Sequence, residues 1–204
     1  MKHKASCAAA GRFFAKEEDA MHEELMALAL ACGADKAAVI RGEDVVLSAS
    51  FRDICRGNGC GMYGRCWMCP PDIGEIGELM ARVRTCRHGL LYQTIHPIED
   101  SYDFEGMMEA GAAHNRLVQQ IRDHISPDAY GKDFSKILHL GAGGCRVCEV
   151  CAKKTGEPCR FPEKALASLE AYGVNVSKLA AAAGMKYING QNTVTYFGAV
   201  FLGR

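Results

Sequence analysis

Eight of the eleven cysteines in this chain fall into two compact groups, which constrain its fold and chemistry more than any other feature. Two-residue gaps between cysteines let a turn point successive sulfur atoms to the same side, so such thiolates can converge on one ion or cluster. Metal binding is therefore the primary hypothesis. The first group is Cys55, Cys60, Cys66 and Cys69, and the second group is Cys145, Cys148, Cys151 and Cys159.

Length and composition limit the remaining choices. With 204 residues and 49% hydrophobic content, we expect one domain over residues 17–204, preceded by a loosely held arm over residues 1–16. The 24 basic and 24 acidic side chains cancel, so neither nucleic acid nor a membrane is implied as a partner. No signal segment or membrane span is evident, which predicts a cytoplasmic protein. In that reducing compartment, clustered cysteines favour metal or redox chemistry over disulfides.

The first half of the chain predicts a hairpin that leads into the first cysteine group. The β-prone runs over residues 37–40 and 45–51 flank a glycine-containing turn, and the second run ends just before Cys55. Residues 55–72 show no periodicity, which predicts a loop that a bound metal would order. The other elements predicted in this half are helices over residues 17–31, 73–85 and about 101–125 and a strand over residues 89–95.

The second half repeats this arrangement, because a predicted strand over residues 137–140 runs through four residues of glycine and alanine into Cys145. The predicted fold is α+β, a mostly antiparallel sheet of five or six strands packed with helices, with both cysteine loops at strand ends. The other elements predicted in this half are helices over residues 163–172 and 177–183 and a closing hairpin formed by residues 185–188 and 193–202.

The second group carries the more specific spacing. The run Cys145-x2-Cys148-x2-Cys151 is typical of bacterial ferredoxin loops, which hold three corners of a cubane cluster. Zinc sites more often use two CxxC halves that are far apart. Cys159 comes later than the ferredoxin pattern requires, so it either completes the same cluster or binds a second one. The spacing favours a [4Fe–4S] cluster, with zinc and unmetallated thiols as alternatives.

The first group has looser spacing, which suits zinc or iron–sulfur equally well. Its last cysteine, Cys69, is followed by two prolines, and this favours iron–sulfur because proline removes a backbone donor and directs the chain away from the site. Trp67 and Tyr63 lie between the cysteines and are predicted to exclude water from the site. Arg160 beside Cys159 could donate to cluster sulfides or to a partner's carboxylate.

Other candidate ligands are isolated. Cys7, Cys32 and Cys86 stand apart from both groups, which favours packing or a free thiol over a ligand role. The seven histidines show no paired spacing, and His139, six residues before Cys145, is the one candidate for a substitute ligand. The glycine-rich residues 141–144 lead into cysteines and lack the lysine and hydroxyl of a phosphate loop, which argues against a nucleotide site.

Taken together, these motifs resemble a prokaryotic family of unknown function described as predicted metal-binding, cysteine-rich proteins. The resemblance runs from about residue 35 to the C-terminus. It implies a shared ligand set of seven cysteines, which suits one four-thiolate site and one three-thiolate site that Cys66, another side chain or an exogenous ligand would complete. The motifs that carry the resemblance are Tyr63-Gly64-Arg65-Cys66-Trp67-Met68-Cys69-Pro70-Pro71, Gly144-Cys145, Cys159-Arg160-Phe161-Pro162 and residues 168–176. The shared seven are Cys55, Cys60, Cys69, Cys145, Cys148, Cys151 and Cys159.

Three functional classes fit this sequence. The favoured one is an electron-transfer or redox accessory protein that carries one or two [4Fe–4S] clusters and docks on a redox partner protein. The second is a zinc-stabilised structural or interaction protein. The third is an iron–sulfur enzyme or sensor with an open coordination position. The sequence identifies no catalytic residue and no oligomeric state.

Overall fold

The computed structural model describes residues 19–126 and 136–203, and its centre is a five-stranded sheet. The strand order is β1-β2-β5-β3-β4, in which only β3 and β4 pair in parallel. This confirms the predicted α+β fold with a mostly antiparallel sheet. The strands are β1 Lys36–Arg41, β2 His88–Pro97, β3 Lys136–Gly141, β4 Ala167–Ser168 and β5 Thr193–Gly203. The predicted arm over residues 1–16 lies outside the described residues.

Helices pack on both faces of this sheet. They are α1 over residues 19–31, α2 Phe51–Arg56, α3 Ile76–Arg84, α4 Phe104–His124 and α5 Val176–Ala182. Short 3-10 turns form at Gly42–Asp44, Ala152–Thr155 and Glu170–Tyr172. Among the described residues, no helix combines the length and the apolar character that a membrane span requires.

Alternation along the central strands explains how the sheet is covered on both sides. Successive strand residues point to opposite faces, so Leu90 and Leu91 of β2 enter different cores. Leu90 packs with apolar side chains of α1 and α4, whereas Leu91 packs with those of α3 and α5. The domain is therefore three layers thick, with apolar residues on each side of the sheet.

The hairpin predicted from residues 37–40 and 45–51 is wrong in its second strand. β1 pairs with β2, and the chain leaves β1 through the turn Gly42–Asp44, where the Gly42 amide donates to the Arg87 carbonyl at 2.7 Å. Val45 and Leu47 are partly buried against the core around α3, so their apolar character serves packing instead of a ladder. The first cysteine group consequently begins with Cys55 in the last turn of α2 instead of at a strand end.

Two predictions in the second half are also wrong. Residues 185–188 form no strand, because β5 already has β2 on one edge and β3 on the other and offers no free edge. The helix predicted over residues 163–172 is replaced by β4 and the turn Glu170–Tyr172, since Leu169 donates its amide to the Gly141 carbonyl at 3.0 Å and holds this segment beside β3. The strand that leads toward Cys145 is present as predicted.

Gly198 of β5 lies directly opposite Tyr92 of β2, and the tyrosine ring occupies the space above it. A Cβ atom at Gly198 would lie 2.5 Å from Tyr92 Cε2 and Cζ, and this ring is fully buried, so it has little room to move. We expect Gly198→Ala to lower the free energy of unfolding by about 1–3 kcal/mol, measured by urea denaturation. Gly77→Ala is the matched control, because a Cβ atom at that exposed position of α3 meets nothing within 4 Å. Equal midpoints for the two variants would contradict the prediction.

Candidate metal centre

The first cysteine group occupies the end of α2 and the irregular segment that follows it. Cys55 lies in the last turn of α2 and is partly exposed, and Cys60 is exposed. Cys66 and Cys69 are both buried, and the Cys69 amide donates to the Cys66 carbonyl at 3.0 Å. The group therefore has a solvent-facing half and a buried half.

The second group lies in the segment between β3 and β4. Its four cysteines are all partly buried, and Cys151 directly precedes the turn Ala152–Thr155. Gly143, in the left-handed region at φ 65°, helps to turn the chain as it leaves β3 and approaches Cys145. The predicted loop after a strand is thus present for this group.

One cavity brings cysteines of the two groups together. The cavity is small, about 20 Å³, and Cys66 of the first group lines it beside all four cysteines of the second. Trp67 also lines the cavity, at the position from which it was predicted to exclude water. In the described part of the chain, no three ligand-type side chains already form a site for a single metal ion. The cysteines of the cavity are Cys66, Cys145, Cys148, Cys151 and Cys159, and the apolar walls are Trp67, Met68, Val147, Ala152, Phe161 and Ala165.

Cys66 is the thiol at which the two groups meet. Hydrogen bonds with the Cys69 thiol, the Met68 and Cys145 amides and the Cys151 thiol lower the pKa of Cys66 to about 6, although burial acts against them. The same hydrogen bond and burial raise the pKa of Cys69. In this pair, the hydrogen bonds therefore favour a thiolate on Cys66 over one on Cys69.

The exposed half of the first group has a different environment. Burial raises the pKa of the Cys55 thiol, and the neighbouring thiol of Cys60 and the carboxyl of Glu170 act in the same direction, whereas Arg52 opposes them. Burial also raises the pKa of Glu170. Sequence analysis assigned no role to Glu170, because only the tertiary fold brings the turn Glu170–Tyr172 against α2.

The two cysteine-bearing segments hold each other through contacts that are distant in sequence. Trp67 Nε1 donates to the Glu157 carbonyl at 2.9 Å. Lys153 Nζ donates to Asp72 at 2.5 Å and lies 4.2 Å from the centroid of the Trp67 ring. Side chains of Lys153 and Asp72 are only 22% and 17% exposed, which strengthens this ion pair relative to a surface pair. These contacts between the two segments were not predicted from the sequence.

Of the remaining candidates in the described residues, Arg160 lines this cavity, whereas His139, Cys32 and Cys86 do not. His139 Nε2 donates to the Ile125 carbonyl at 2.9 Å, and His139 is not among the residues that line the cavity. Cys86 is buried in the core, and Cys32 packs at the edge of the other core. Arg160 does line the cavity, where its guanidinium donates to the Val150 carbonyl at 3.1 Å. Cys7 lies outside the described residues.

Comparison with known proteins gives a family match over most of the chain. The model of a family described as "Predicted metal-binding protein (DUF2284)" matches residues 38–202, a range that contains both cysteine groups and nearly the whole sheet. No curated protein and no solved structure matches the chain.

Proposed function

The chain belongs to the DUF2284 family of predicted metal-binding proteins, and on that premise we propose that its cysteines hold one or two [4Fe–4S] clusters in a redox accessory protein. The observation that carries this proposal is the cavity that five cysteines line, four from the second group and Cys66 from the first. The consecutive run Cys145-x2-Cys148-x2-Cys151 adds the spacing that cubane clusters use.

The shape of the site supports a cluster over a single zinc ion. A zinc ion requires four ligand atoms that converge on one point, with each sulfur about 2.3 Å from the metal. A cubane cluster is bound at its corners, so its thiolates stand around a volume, and five cysteines that line one cavity are compatible with that mode of binding. Zinc is the alternative metal for the same cysteine ligands.

The surrounding side chains suit a redox centre. A bound cluster would supply one-electron transfer, whose potential depends on hydrogen bonds to sulfur and on access of water. Trp67, Met68 and Phe161 line the cavity with apolar surface, which limits that access. Amides of Met68 and Cys145 donate to the Cys66 sulfur and stabilise negative charge there.

Exposed apolar side chains beside the cysteines would provide a place for a redox partner protein. Val150, which precedes Cys151, is 48% exposed, and Phe161, two residues after Cys159, is 42% exposed. Weak electron-transfer complexes bury small interfaces, so a few such side chains near the centre suffice for docking.

A second candidate is an iron–sulfur enzyme or sensor. The observation that favours it is the solvent exposure of Cys60 and the partial exposure of Cys55, since a small molecule from solvent could reach a metal held there. A cluster spectrum that changes when small molecules are added would favour this candidate over a pure electron carrier.

The test is metal and acid-labile sulfide analysis, with a visible spectrum, on the full chain purified without oxygen. We expect about four or eight irons per chain with matching sulfide, and a visible absorption band that bleaches when the protein is reduced. Cys148→Ser should lower the iron content by about four per chain, whereas Cys32→Ser, outside both groups, should leave it unchanged. Stoichiometric zinc without sulfide would overturn the iron–sulfur proposal.

A further inference from the structure

A groove separate from the cysteine cavity opens where β2 ends and β5 begins, with a volume of about 490 Å³. One wall comes from the segment between β2 and α4 and from the first turn of α4, and the other comes from the segment that leads into β5. Among the described residues that line the groove, Asp100 alone is charged, and none of them also lines the cysteine cavity. The apolar side chains of the lining are Ile98, Tyr102, Met107, Ile188 and Val194.

Hydrogen bonds hold the two walls of this groove together. The Ile98 amide donates to the Asn192 carbonyl at 3.0 Å, and the side-chain amide of Asn192 donates to the Glu99 carbonyl at 2.8 Å. The Tyr196 hydroxyl donates to the Met107 carbonyl at 2.8 Å, which fixes the first turn of α4 against β5. A preformed groove loses less free energy to ordering when it binds a partner.

Apolar side chains extend from the groove into solvent. Tyr102 and Ile188, one on each wall, are 80% and 74% exposed. Phe104 and Met108 are also exposed, and with Met107 they lie at positions i, i+4 and i+3 of α4, so they share one face of the helix. The apolar surface therefore continues from the groove onto α4. An exposed apolar surface of this kind, with polar residues around it, marks sites of protein–protein interaction.

Carboxylates surround this apolar surface. Residues 98–115 contain no lysine or arginine. In the described part of the chain, none of the four exposed carboxylates of this stretch forms an ion pair. Arg146 lies near Gly111 of α4 and Lys186 precedes Ile188 by two residues, so acidic side chains outnumber basic ones here. The four carboxylates are those of Glu99, Asp100, Glu105 and Glu109.

We propose that this groove binds a basic amphipathic helix of a partner protein. Apolar side chains on one face of that helix fill the groove, as in other helix-in-groove complexes, and lysines or arginines beside them face the carboxylates. Charge argues against a second copy of this chain, because a symmetric dimer places the same surface on both subunits and would bring carboxylates against carboxylates. The groove contains no candidate metal ligand, so this inference goes beyond the proposed function and does not depend on it.

The test uses the full chain and a fluorescent synthetic peptide of about 18 residues, five helical turns, with leucines on one face and lysines on the other. Fluorescence anisotropy should show saturable binding with a Kd in about the micromolar range. Raising the salt concentration from about 0.1 M to about 1 M should weaken binding by about ten-fold, because screening acts on exposed charges.

Two further peptides separate the groove from simple charge attraction. One has the same composition with its leucines spread around the helix, and the other has glutamate in place of lysine. Each should bind about ten-fold more weakly than the amphipathic basic peptide, or worse. Equal affinity for the peptide with dispersed leucines would overturn the proposal, and so would the absence of saturable binding of the amphipathic basic peptide.

Variants locate the binding surface. Ile188→Ser and Tyr102→Ser should each lower the affinity for the amphipathic basic peptide by about ten-fold, and Glu109→Lys should lower both the affinity and its salt dependence. All three residues are exposed, so the fold should persist, which circular dichroism checks. Leu30→Ser and Glu24→Lys are the matched controls on the exposed side of α1 and should bind as the native chain does. Native affinity in Ile188→Ser and Tyr102→Ser would overturn the assignment of the groove.

Two other occupants give different results. A second copy would form a dimer that Ile188→Ser dissociates, measured by sedimentation at about 100 μM chain, and that result would overturn the proposal. The chain's own residues 1–16 contain four basic side chains, no acidic one and the pair Phe13-Phe14. If they occupied the groove, Phe13→Ser with Phe14→Ser in the full chain would raise the affinity for the amphipathic basic peptide by about ten-fold. We expect unchanged affinity, and such a rise would overturn the proposal of a partner protein.

Discussion

Removal of the metal is expected to raise the amide hydrogen exchange of the two cysteine-bearing segments by about ten-fold or more, while the sheet keeps its protection. Residues 57–75 contain no helix or strand, and residues 142–166 contain only the turn Ala152–Thr155. The order of these segments depends on the hydrogen bonds from Trp67 to Glu157 and from Lys153 to Asp72, and on the metal that the cysteines bind. Metal binding contributes directly to folding where the ligand loops have little structure of their own.

Exchange measured by mass spectrometry on metal-loaded and chelator-treated protein checks this expectation. Peptides from β2 and β5 are internal controls, because these strands are hydrogen-bonded on both edges and covered by apolar layers on both faces. Equal loss of protection in the strands and in the cysteine segments would contradict the prediction. That result would mean that the metal holds the whole domain, as in a zinc-stabilised protein.

The elements that could be predicted from sequence are those in which periodicity and packing agree. Residues 19–31 form a helix with Leu25 and Ala29 buried, as the spacing of apolar residues predicts. The strand over residues 193–203 is equally clear, because its whole second half is buried between two layers. Residues 45–51 do not form the predicted strand because β propensity reports a fit to a half-buried surface, and Val45 and Leu47 find that fit with only a single antiparallel bridge, between Leu47 and Val174.

The site was predictable in its residue types and less so in its arrangement. Spacing identified all the cysteines that line the cavity, and it placed Trp67 at the site. It could not show that Cys66 faces the second group, because that depends on contacts such as the one from Trp67 to Glu157, ninety residues apart. Local spacing determines which thiols can share a turn, and only tertiary packing determines which turns share a cavity.

A buried histidine, His114 of α4, contributes in contrast to the packing of the fold. It is 1% exposed, and its Nδ1 lies 2.9 Å from the Thr94 hydroxyl on β2. Burial lowers the pKa of His114 to about 4, against a hydrogen bond with the Phe197 backbone that favours the charged form, while the nearby His96 also lowers it. The folded protein therefore holds this imidazole neutral at pH values where an unfolded chain would protonate it.

Stability should consequently fall as the pH drops from about 6.5, the pKa of an unfolded histidine, to about 4, the pKa of His114 in the folded protein. Within that window the unfolded state binds one more proton at this residue, which costs about 1.4 kcal/mol per pH unit and about 3 kcal/mol in total. Above pH 6.5 the contribution is fully present, and below pH 4 it no longer changes. Burial likewise lowers the pKa of His139 to about 4, so His139 also lowers the stability of the folded protein as the pH falls through this window.

The measurement is urea unfolding of native protein and His114→Gln at several pH values between 7 and 4. The variant should lose about 1.4 kcal/mol per pH unit less than the native chain, because glutamine retains hydrogen-bonding capacity toward Thr94 but does not titrate. Acid effects on the metal centre are common to both proteins and cancel in the difference between slopes. His124→Gln is the matched control for the substitution, since His124 is exposed in the last turn of the same helix. If His114→Gln and native protein showed the same pH dependence, the neutral buried imidazole would not be a source of acid sensitivity in this fold.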